Sequence, residues 1–188
     1  MKYRLSGLLM VALAGLSLVV PVRAEINLLD NDRLIEAVSS NDLEGAEALL
    51  NRKHFADVVD AKQRTPLIIA AARGYEDLVD VLIRFRASVD AVDELGNSAL
   101  FYAAAGDHTG VIEILKDAGA NVNIKNRRGG TPLMVAAAGG RTAAVQMLLD
   151  FGARAGETDF TGRTARDWAQ SNNRRTILNV FDRRGIKR

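Results

Sequence analysis

The sequence predicts an all-α solenoid of about five 33-residue helix-turn-helix units joined by extended connector loops. Three residue types recur at a spacing of 33. A hydroxyl residue followed by proline or alanine stands at Thr65, Ser98, Thr131 and Thr164; leucine stands at Leu34, Leu67, Leu100 and Leu133; alanine stands at Ala37, Ala70, Ala103, Ala136 and Ala169. A fixed period of this size indicates stacked units, each too small to bury its own apolar face. Function is therefore expected on a surface rather than in a deep pocket.

The first helix of each unit is expected to begin at a residue whose side-chain oxygen can accept a hydrogen bond from the free N–H groups of a helix start. These residues are Asp32, Thr65, Ser98, Thr131 and Thr164. Pro66 and Pro132 directly follow two of them, where the missing N–H and the fixed backbone angle cost nothing. The helix is expected to end at a residue type that tolerates left-handed backbone. That column reads Asn41, Gly74, Asp107, Gly140 and Asn173.

The second helix of each unit carries its apolar residues on one face. They are Leu78, Val79, Val81 and Leu82 in one unit, Val111, Ile112, Ile114 and Leu115 in the next, and Ala144, Val145, Met147 and Leu148 in the one after. Gly119, Gly152 and Gly185 are expected to close this helix, and Lys53 and Arg86 in the same column are expected to form looser ends. The remaining residues form the extended connector.

Three short stretches carry a family resemblance. Residues 64–74 and 130–140 both contain Thr-Pro-Leu and both end in glycine, and residues 117–123 read Asp-Ala-Gly-Ala-Asn-Val-Asn. Together they resemble ankyrin repeats, and the resemblance extends over residues 28–188. It implies units near 28–60, 61–93, 94–126, 127–159 and 160–188. One departure is consistent, because Ile68, Phe101 and Met134 replace the family's usual histidine, which implies the loss of a hydrogen bond between neighbouring turns.

Residues 1–24 are expected to be a cleaved signal peptide. Lys2 and Arg4 give a positive start, residues 5–20 contain no charge, and Ala24 ends a stretch that a signal peptidase would read. The alternative is an uncleaved anchor, although the 16 apolar residues fall short of the roughly 20 that a spanning helix needs. We expect a periplasmic protein, with secretion as second choice, and no stable membrane insertion after cleavage.

The composition excludes several kinds of catalytic site. The absence of cysteine rules out a cysteine nucleophile and lipid attachment at a signal-peptide cysteine, and two histidines, His54 and His108, are too few for a histidine-rich metal site. Both histidines are expected at the surface. Serine nucleophile elbows, phosphate-binding glycine loops and zinc-protease motifs are absent. The sequence therefore predicts no enzymatic activity, no cofactor and no metal.

Charge is distributed unevenly along the chain. Of the 25 basic residues, Lys2, Arg4 and Arg23 belong to the expected leader, which leaves 22 basic and 23 acidic residues, a net charge of −1. Residues 160–188 hold eight basic and two acidic residues, a charge of +6, so residues 25–159 carry −7. This uneven distribution of charge would steer the approach of a charged partner. Alternatively, the basic end serves only as a soluble cap of the stack, and both interpretations stay open. Nucleic-acid binding is not expected, because no aromatic residues alternate with the basic ones.

The ends of the stack are expected to be polar, since a terminal unit has a neighbour on one side only. Glu36 in the first unit and Arg166 and Asp167 in the last stand where other units carry apolar residues. Trp168 is expected to close the hydrophobic column at the last unit. Two further aromatic residues, Phe85 and Phe151, are expected to belong to the core.

Recognition of a protein partner is the function that the resemblance implies, through a concave surface of connector tips and first helices. Carried onto this chain, the partner-binding candidates are Lys62, Arg64, Arg73, Glu94, Leu95, Asn97, Arg127, Arg128, Phe160 and Arg163. Leu95 and Phe160 are apolar where a tip is normally polar, and arginine is favoured at interface anchors. We expect a monomeric exported adaptor or accessory factor for another exported protein. The alternative is an inhibitor or immunity-type protein that occludes a target enzyme.

Overall fold

A computed structural model describes residues 11–13, 16–18, 32–52 and 56–187 of the chain. Over these residues it contains ten helices in five consecutive pairs. The bounds are 32–39 (α1), Leu43–Asn51 (α2), Pro66–Arg73 (α3), Glu76–Arg84 (α4), Ala99–Gly106 (α5), Thr109–Asp117 (α6), Pro132–Gly139 (α7), Thr142–Asp150 (α8), Ala165–Ser171 (α9) and Arg175–Arg183 (α10). The predicted all-α solenoid of helix pairs is confirmed.

Two short strands precede the helices, β1 at Val11–Leu13 and β2 at Leu16–Leu18. They pair antiparallel, with Val11 opposite Leu18 and Leu13 opposite Leu16. Both lie within the expected signal peptide, whose other residues are outside the described part of the chain, as are Lys53 and His54. Signal cleavage thus stays a prediction.

Hydroxyl side chains begin four of the first helices, as the sequence predicts. The Oγ1 or Oγ atoms of Thr65, Ser98, Thr131 and Thr164 accept hydrogen bonds from the backbone N–H three residues further on, at 3.3, 3.2, 3.3 and 3.2 Å. The first unit differs, because Asp32 already lies within α1 instead of standing before the helix.

The turns between paired helices have the left-handed backbone that the sequence predicts. The φ angles of Asn41, Gly74, Asp107, Gly140 and Asn173 are 59°, 75°, 63°, 72° and 55°. The residues that close the second helices behave in the same way, with φ of 64° at Arg86, 88° at Gly119, 90° at Gly152 and 68° at Gly185. A single left-handed residue at each of these points lets two short helices fold back on one another.

The first helices α3, α5, α7 and α9 pack side by side, and the second helices lie behind them. The alanines of one column, Ala70, Ala103, Ala136 and Ala169, are fully buried. The leucines of the neighbouring column are at most 1% exposed. Ile68 and Met134, which replace the family's histidine, are buried as well, so apolar packing occupies that position. Phe85, Phe151 and Trp168 pack against this core, as expected.

Side chains also join each unit to its predecessor. The carbonyl groups near the end of four first helices each accept a hydrogen bond from the following unit: Ser39 from Arg73 at 3.1 Å, Ala72 from His108 at 3.3 Å, Ala105 from Arg141 at 2.9 Å and Ala138 from Arg174 at 2.9 Å. Because a carbonyl can only accept, Nε2 of His108 carries the hydrogen. His108 is thus a half-buried tie between units, and Arg73 is occupied in the same role.

Candidate functional site

Each connector tip is shaped by one Asp or Asn side chain. The Oδ1 atoms of Asp60, Asp93, Asn126 and Asp159 each accept hydrogen bonds from the backbone N–H groups two and four residues further on, at 2.8 to 3.0 Å. Such turns let a short polar side chain take the place of a backbone acceptor. The sequence analysis missed this column, although its 33-residue spacing is visible in the sequence.

Backbone hydrogen bonds link the tips of neighbouring units. Glu94 N–H donates to the carbonyl of Lys62 at 3.2 Å, Arg127 N–H to that of Leu95 at 3.0 Å, and Phe160 N–H to that of Arg128 at 3.1 Å. We call this row the tip ladder, and its order is Lys62, Glu94, Leu95, Arg127, Arg128 and Phe160. Six of the ten candidate residues therefore lie in one continuous line.

Glycine makes the close approach of the tips sterically feasible. Gly96 and Gly129 have φ of 78° and 76°. A Cβ atom on Gly96 would lie 2.7 Å from the backbone nitrogen of Arg127, and one on Gly129 would lie 2.8 Å from that of Phe160. Both nitrogens are ladder donors, so any side chain at these glycines would push the next tip away.

A groove of about 650 Å³ lies below the ladder. Tip residues and first-helix residues line it together; those used below are Leu95, Arg127, Arg128, Phe160, Arg163, Phe101, Met134, Val135 and Trp168. The tips come from the third, fourth and fifth units, and α5, α7 and α9 supply the helix residues. The candidates Lys62, Arg64, Arg73 and Glu94 do not line this groove.

The rim of the groove is unusually apolar. Leu95 is 54% exposed and Phe160 is 75% exposed, which makes Phe160 the most exposed large hydrophobic residue of the described chain. Single exposed apolar residues are ordinary, whereas several around one groove indicate an interaction site. Trp168 and Phe101, both half-buried, also line the groove. The sequence analysis assigned Trp168 to the core alone and did not select Phe101.

The arginine candidates differ in how their charge is used. Arg64 forms an ion pair with Asp60 at 2.6 Å, and Arg163 pairs with Asp159 at 3.1 Å while its guanidinium lies 4.3 Å from the centre of the Trp168 ring. The guanidinium groups of Arg127 and Arg128 are exposed and make no hydrogen bond or ion pair with the rest of the described chain. These two arginines are therefore the groove's uncompensated charges.

Asp159 anchors the fifth tip from a buried position, 6% exposed. It accepts hydrogen bonds from the Thr161 hydroxyl at 2.6 Å, from Nε of Arg163 at 3.2 Å and from Nε1 of Trp168 at 3.0 Å, in addition to its two backbone bonds. Burial by itself would raise the pKa of Asp159, but these hydrogen bonds outweigh it and hold the pKa well below its usual range. The ionised carboxylate neutralises Arg163 and fixes the Trp168 ring.

The third tip has a related arrangement in which Tyr102 takes the place of Trp168. Its hydroxyl donates to Oδ2 of Asp93 at 2.6 Å, and burial together with this bond raises the pKa of Tyr102. Asn97 donates its amide to the Tyr102 oxygen at 3.3 Å and accepts from Nδ2 of Asn126 at 2.9 Å. Asn97 is 6% exposed. It therefore holds two tips together from a position that also lines the groove, and its selection as a contact residue stays a prediction.

The described residues contain no group of three or more histidine, aspartate or glutamate side chains that could hold a metal ion. Within the same residues, every helix is too short or too polar to cross a lipid bilayer.

Comparisons with known proteins agree with the observed repeat. A family model described as "Ankyrin repeats (3 copies)" matches residues 34–126, and one described as "Ankyrin repeats (many copies)" matches residues 114–169. The chain is also 39% identical over 56 residues to Potassium channel AKT2/3 of Arabidopsis thaliana. That match covers 30% of this chain and 7% of the channel, so the chain matches only a small part of the channel's length.

Proposed function

This chain belongs to the ankyrin-repeat family of protein-interaction modules, and we propose that it binds another exported protein through the groove and the tip ladder. One observation carries this proposal. The rim joins two exposed apolar side chains, Leu95 and Phe160, to two arginines that no other described residue neutralises. Exposed aromatic residues and arginine are the types that dominate binding energy at protein interfaces.

The proposed role is that of a monomeric adaptor or accessory factor that supports the bound protein. A role as an inhibitor or immunity-type protein that occludes an enzyme is the second candidate. It is favoured by the charge of −7 on residues 25–159, which would attract a basic target enzyme. The two roles predict opposite effects on the partner: an accessory factor raises its activity or yield, and an inhibitor abolishes its activity.

A photo-reactive phenylalanine analogue in place of Phe160 should cross-link the partner in living cells. Phe160 is exposed and the analogue is close to it in shape, so the tip should keep its structure. The matched control carries the analogue at Gln146, an exposed residue of α8 on the second-helix side of the stack. We expect a cross-linked product from position 160 and none from position 146.

Equal cross-linking from both positions, or cross-linking from position 146 alone, would place the interaction away from the groove. Once the partner is isolated, its activity with and without the purified protein separates the two roles. A rise favours the accessory factor, and complete loss favours the inhibitor.

We further propose that the protein is exported to the periplasm, with secretion as the second choice. The support is the positive start at Lys2 and Arg4, the uncharged run of residues 5–20 and the small residue Ala24. Mass spectrometry of protein recovered from the periplasmic fraction should show a chain that begins at Glu25. Recovery of the full-length chain in the inner membrane would instead indicate an uncleaved anchor.

A further inference from the structure

The positive charge of the groove that no other described residue neutralises is confined to Arg127 and Arg128. Asp159 neutralises Arg163, and Asp60 neutralises Arg64 further along the stack. Glu94 belongs to the same ladder but precedes Leu95, so it lies outside the stretch from Leu95 to Phe160. Between those two apolar residues, Arg127 and Arg128 are the charged members of the ladder. A ligand that follows the ladder therefore meets an apolar contact, two adjacent cations and a second apolar contact.

The spacing of these contacts sets the spacing of the groups that would fit them. Each ladder bond joins two backbones by one N–H···O=C hydrogen bond, the contact that holds neighbouring chains about 4.8 Å apart in a sheet. Two such steps, Leu95 to Arg127 and Arg128 to Phe160, separate the two apolar residues. Together with the step of about 3.8 Å between the consecutive residues Arg127 and Arg128, they give about 13 Å in all. An extended chain rises about 3.3 Å per residue, so about four residues span this distance.

The shape of the site favours an extended segment of a partner over a folded face. A volume of about 650 Å³ is typical of sites that enclose a few chemical groups. Phe101, Met134, Val135 and Trp168 supply its apolar lining. A long polyanion would extend past the two arginines onto the body, residues 25–159, whose charge of −7 repels it, whereas a short acidic segment can stay next to residues 160–188 with their charge of +6.

We propose that the groove recognises an extended, acidic segment of the partner in which two bulky apolar side chains lie about four residues apart and flank glutamate or aspartate. The apolar side chains contact Leu95 and Phe160, and the intervening carboxylates pair with Arg127 and Arg128. Arginine suits this task because its planar guanidinium can bind a carboxylate through two parallel hydrogen bonds. This inference rests on the proposed function and specifies the chemistry of the partner.

A peptide titration of the protein as isolated from cells tests the proposal. The probe contains leucine, three glutamates and phenylalanine in succession. One control peptide replaces the glutamates with lysines, and another replaces both apolar residues with serine. Trp168 lines the groove and is the chain's single tryptophan, so its fluorescence reports occupancy directly. We expect saturable binding of the glutamate probe and no binding of either control.

Charge reversal provides the decisive comparison. The double variant Arg127→Glu and Arg128→Glu should bind the glutamate probe about 30-fold more weakly, since it loses the charged pairs and adds repulsion, and it should gain binding of the lysine peptide. The matched control, Arg175→Glu with Arg183→Glu, changes the net charge equally at exposed residues of α10 that have no ion-pair partner in the described chain. It should bind like the wild type, and both double variants should keep the wild-type melting temperature.

Equal affinity for the glutamate and lysine peptides, unchanged binding after reversal of Arg127 and Arg128, or no peptide binding would overturn the inference. Tight displacement of the probe by a single-stranded oligonucleotide would overturn it in favour of a polyanion site. The proposed function fails separately, when the photo-reactive group at position 160 captures no protein. A captured partner whose binding survives the charge reversal would leave the interaction module intact and refute only the acidic chemistry.

Discussion

Replacing Asp159 by alanine is expected to lower the free energy of unfolding by about 3–5 kcal/mol, because several hydrogen bonds to one buried charged acceptor, each worth about 1.5–3 kcal/mol, are lost together. The substitution leaves two backbone N–H groups, the Thr161 hydroxyl and the Trp168 indole N–H without Asp159 as their acceptor, and the Arg163 guanidinium keeps only the Thr161 oxygen. The fifth tip should loosen first, because interactions in a repeat stack extend only to neighbouring units. Chemical denaturation followed by Trp168 fluorescence measures the loss.

Asparagine at the same position is the matched control. Asn126 occupies the equivalent place in the fourth tip and accepts both backbone hydrogen bonds, at 2.9 and 2.8 Å. Asp159→Asn should therefore preserve the turn and lose only the charge-assisted bonds, at a cost of about 1.5–3 kcal/mol. An alanine variant no less stable than the asparagine variant would contradict the role assigned to the turn.

The ionisation of Asp159 also makes the free energy of unfolding depend on pH, in a direction that its pKa fixes. The pKa of Asp159 is lower in the folded protein than in the unfolded chain, so the unfolded state binds the proton more readily. Its stabilisation is then complete above the unfolded pKa of about 3.9 and is lost as the pH falls from there toward the folded pKa. The stability difference between wild type and Asp159→Asn should accordingly shrink below about pH 4.

Shortening Leu100 to alanine is expected to cost about 2–5 kcal/mol, the range for a buried leucine whose cavity does not collapse. Leu100 is 1% exposed on α5, which packs against both α3 and α7, so its cavity weakens two unit interfaces. Thermal or urea unfolding measures the change. Leu95→Ala makes the same chemical change at a side chain that is 54% exposed, where about 0.5 kcal/mol or less is expected. Similar losses in the two variants would refute the assigned core.

Helix positions were predictable from the sequence because their causes are local. A threonine hydroxyl caps a helix three residues away, and Asn41 or Gly74 reverses the chain within a single residue. These interactions repeat in every unit, so the 33-residue period makes them visible. The leading exception, Asp32, lies in the first unit, where the repeat pattern begins.

The sequence predicts on which surface binding is expected, but not which side chains of that surface are occupied by contacts within the protein. The sequence alone does not distinguish a neutralised tip arginine from an unpaired one. Asp159 neutralises Arg163, whereas no residue of the described chain neutralises Arg127. The Asn97–Asn126 contact spans 29 residues and depends on how tips approach one another. Trp168 reaches Asp159 only because the tip folds back over α9. Such contacts follow from the stacked geometry, which no single unit contains.

The tip ladder draws Leu95, Arg127 with Arg128, and Phe160 from three successive units. Since successive ladder bonds are spaced by 33 residues, a whole unit can be duplicated or deleted in register while the remaining tips still join. Deletion of the fourth unit would bring the two apolar contacts together without the cations, and its duplication would lengthen the cationic stretch. Duplication or deletion of whole units would therefore change the length and charge of the proposed binding groove without the redesign of a single turn.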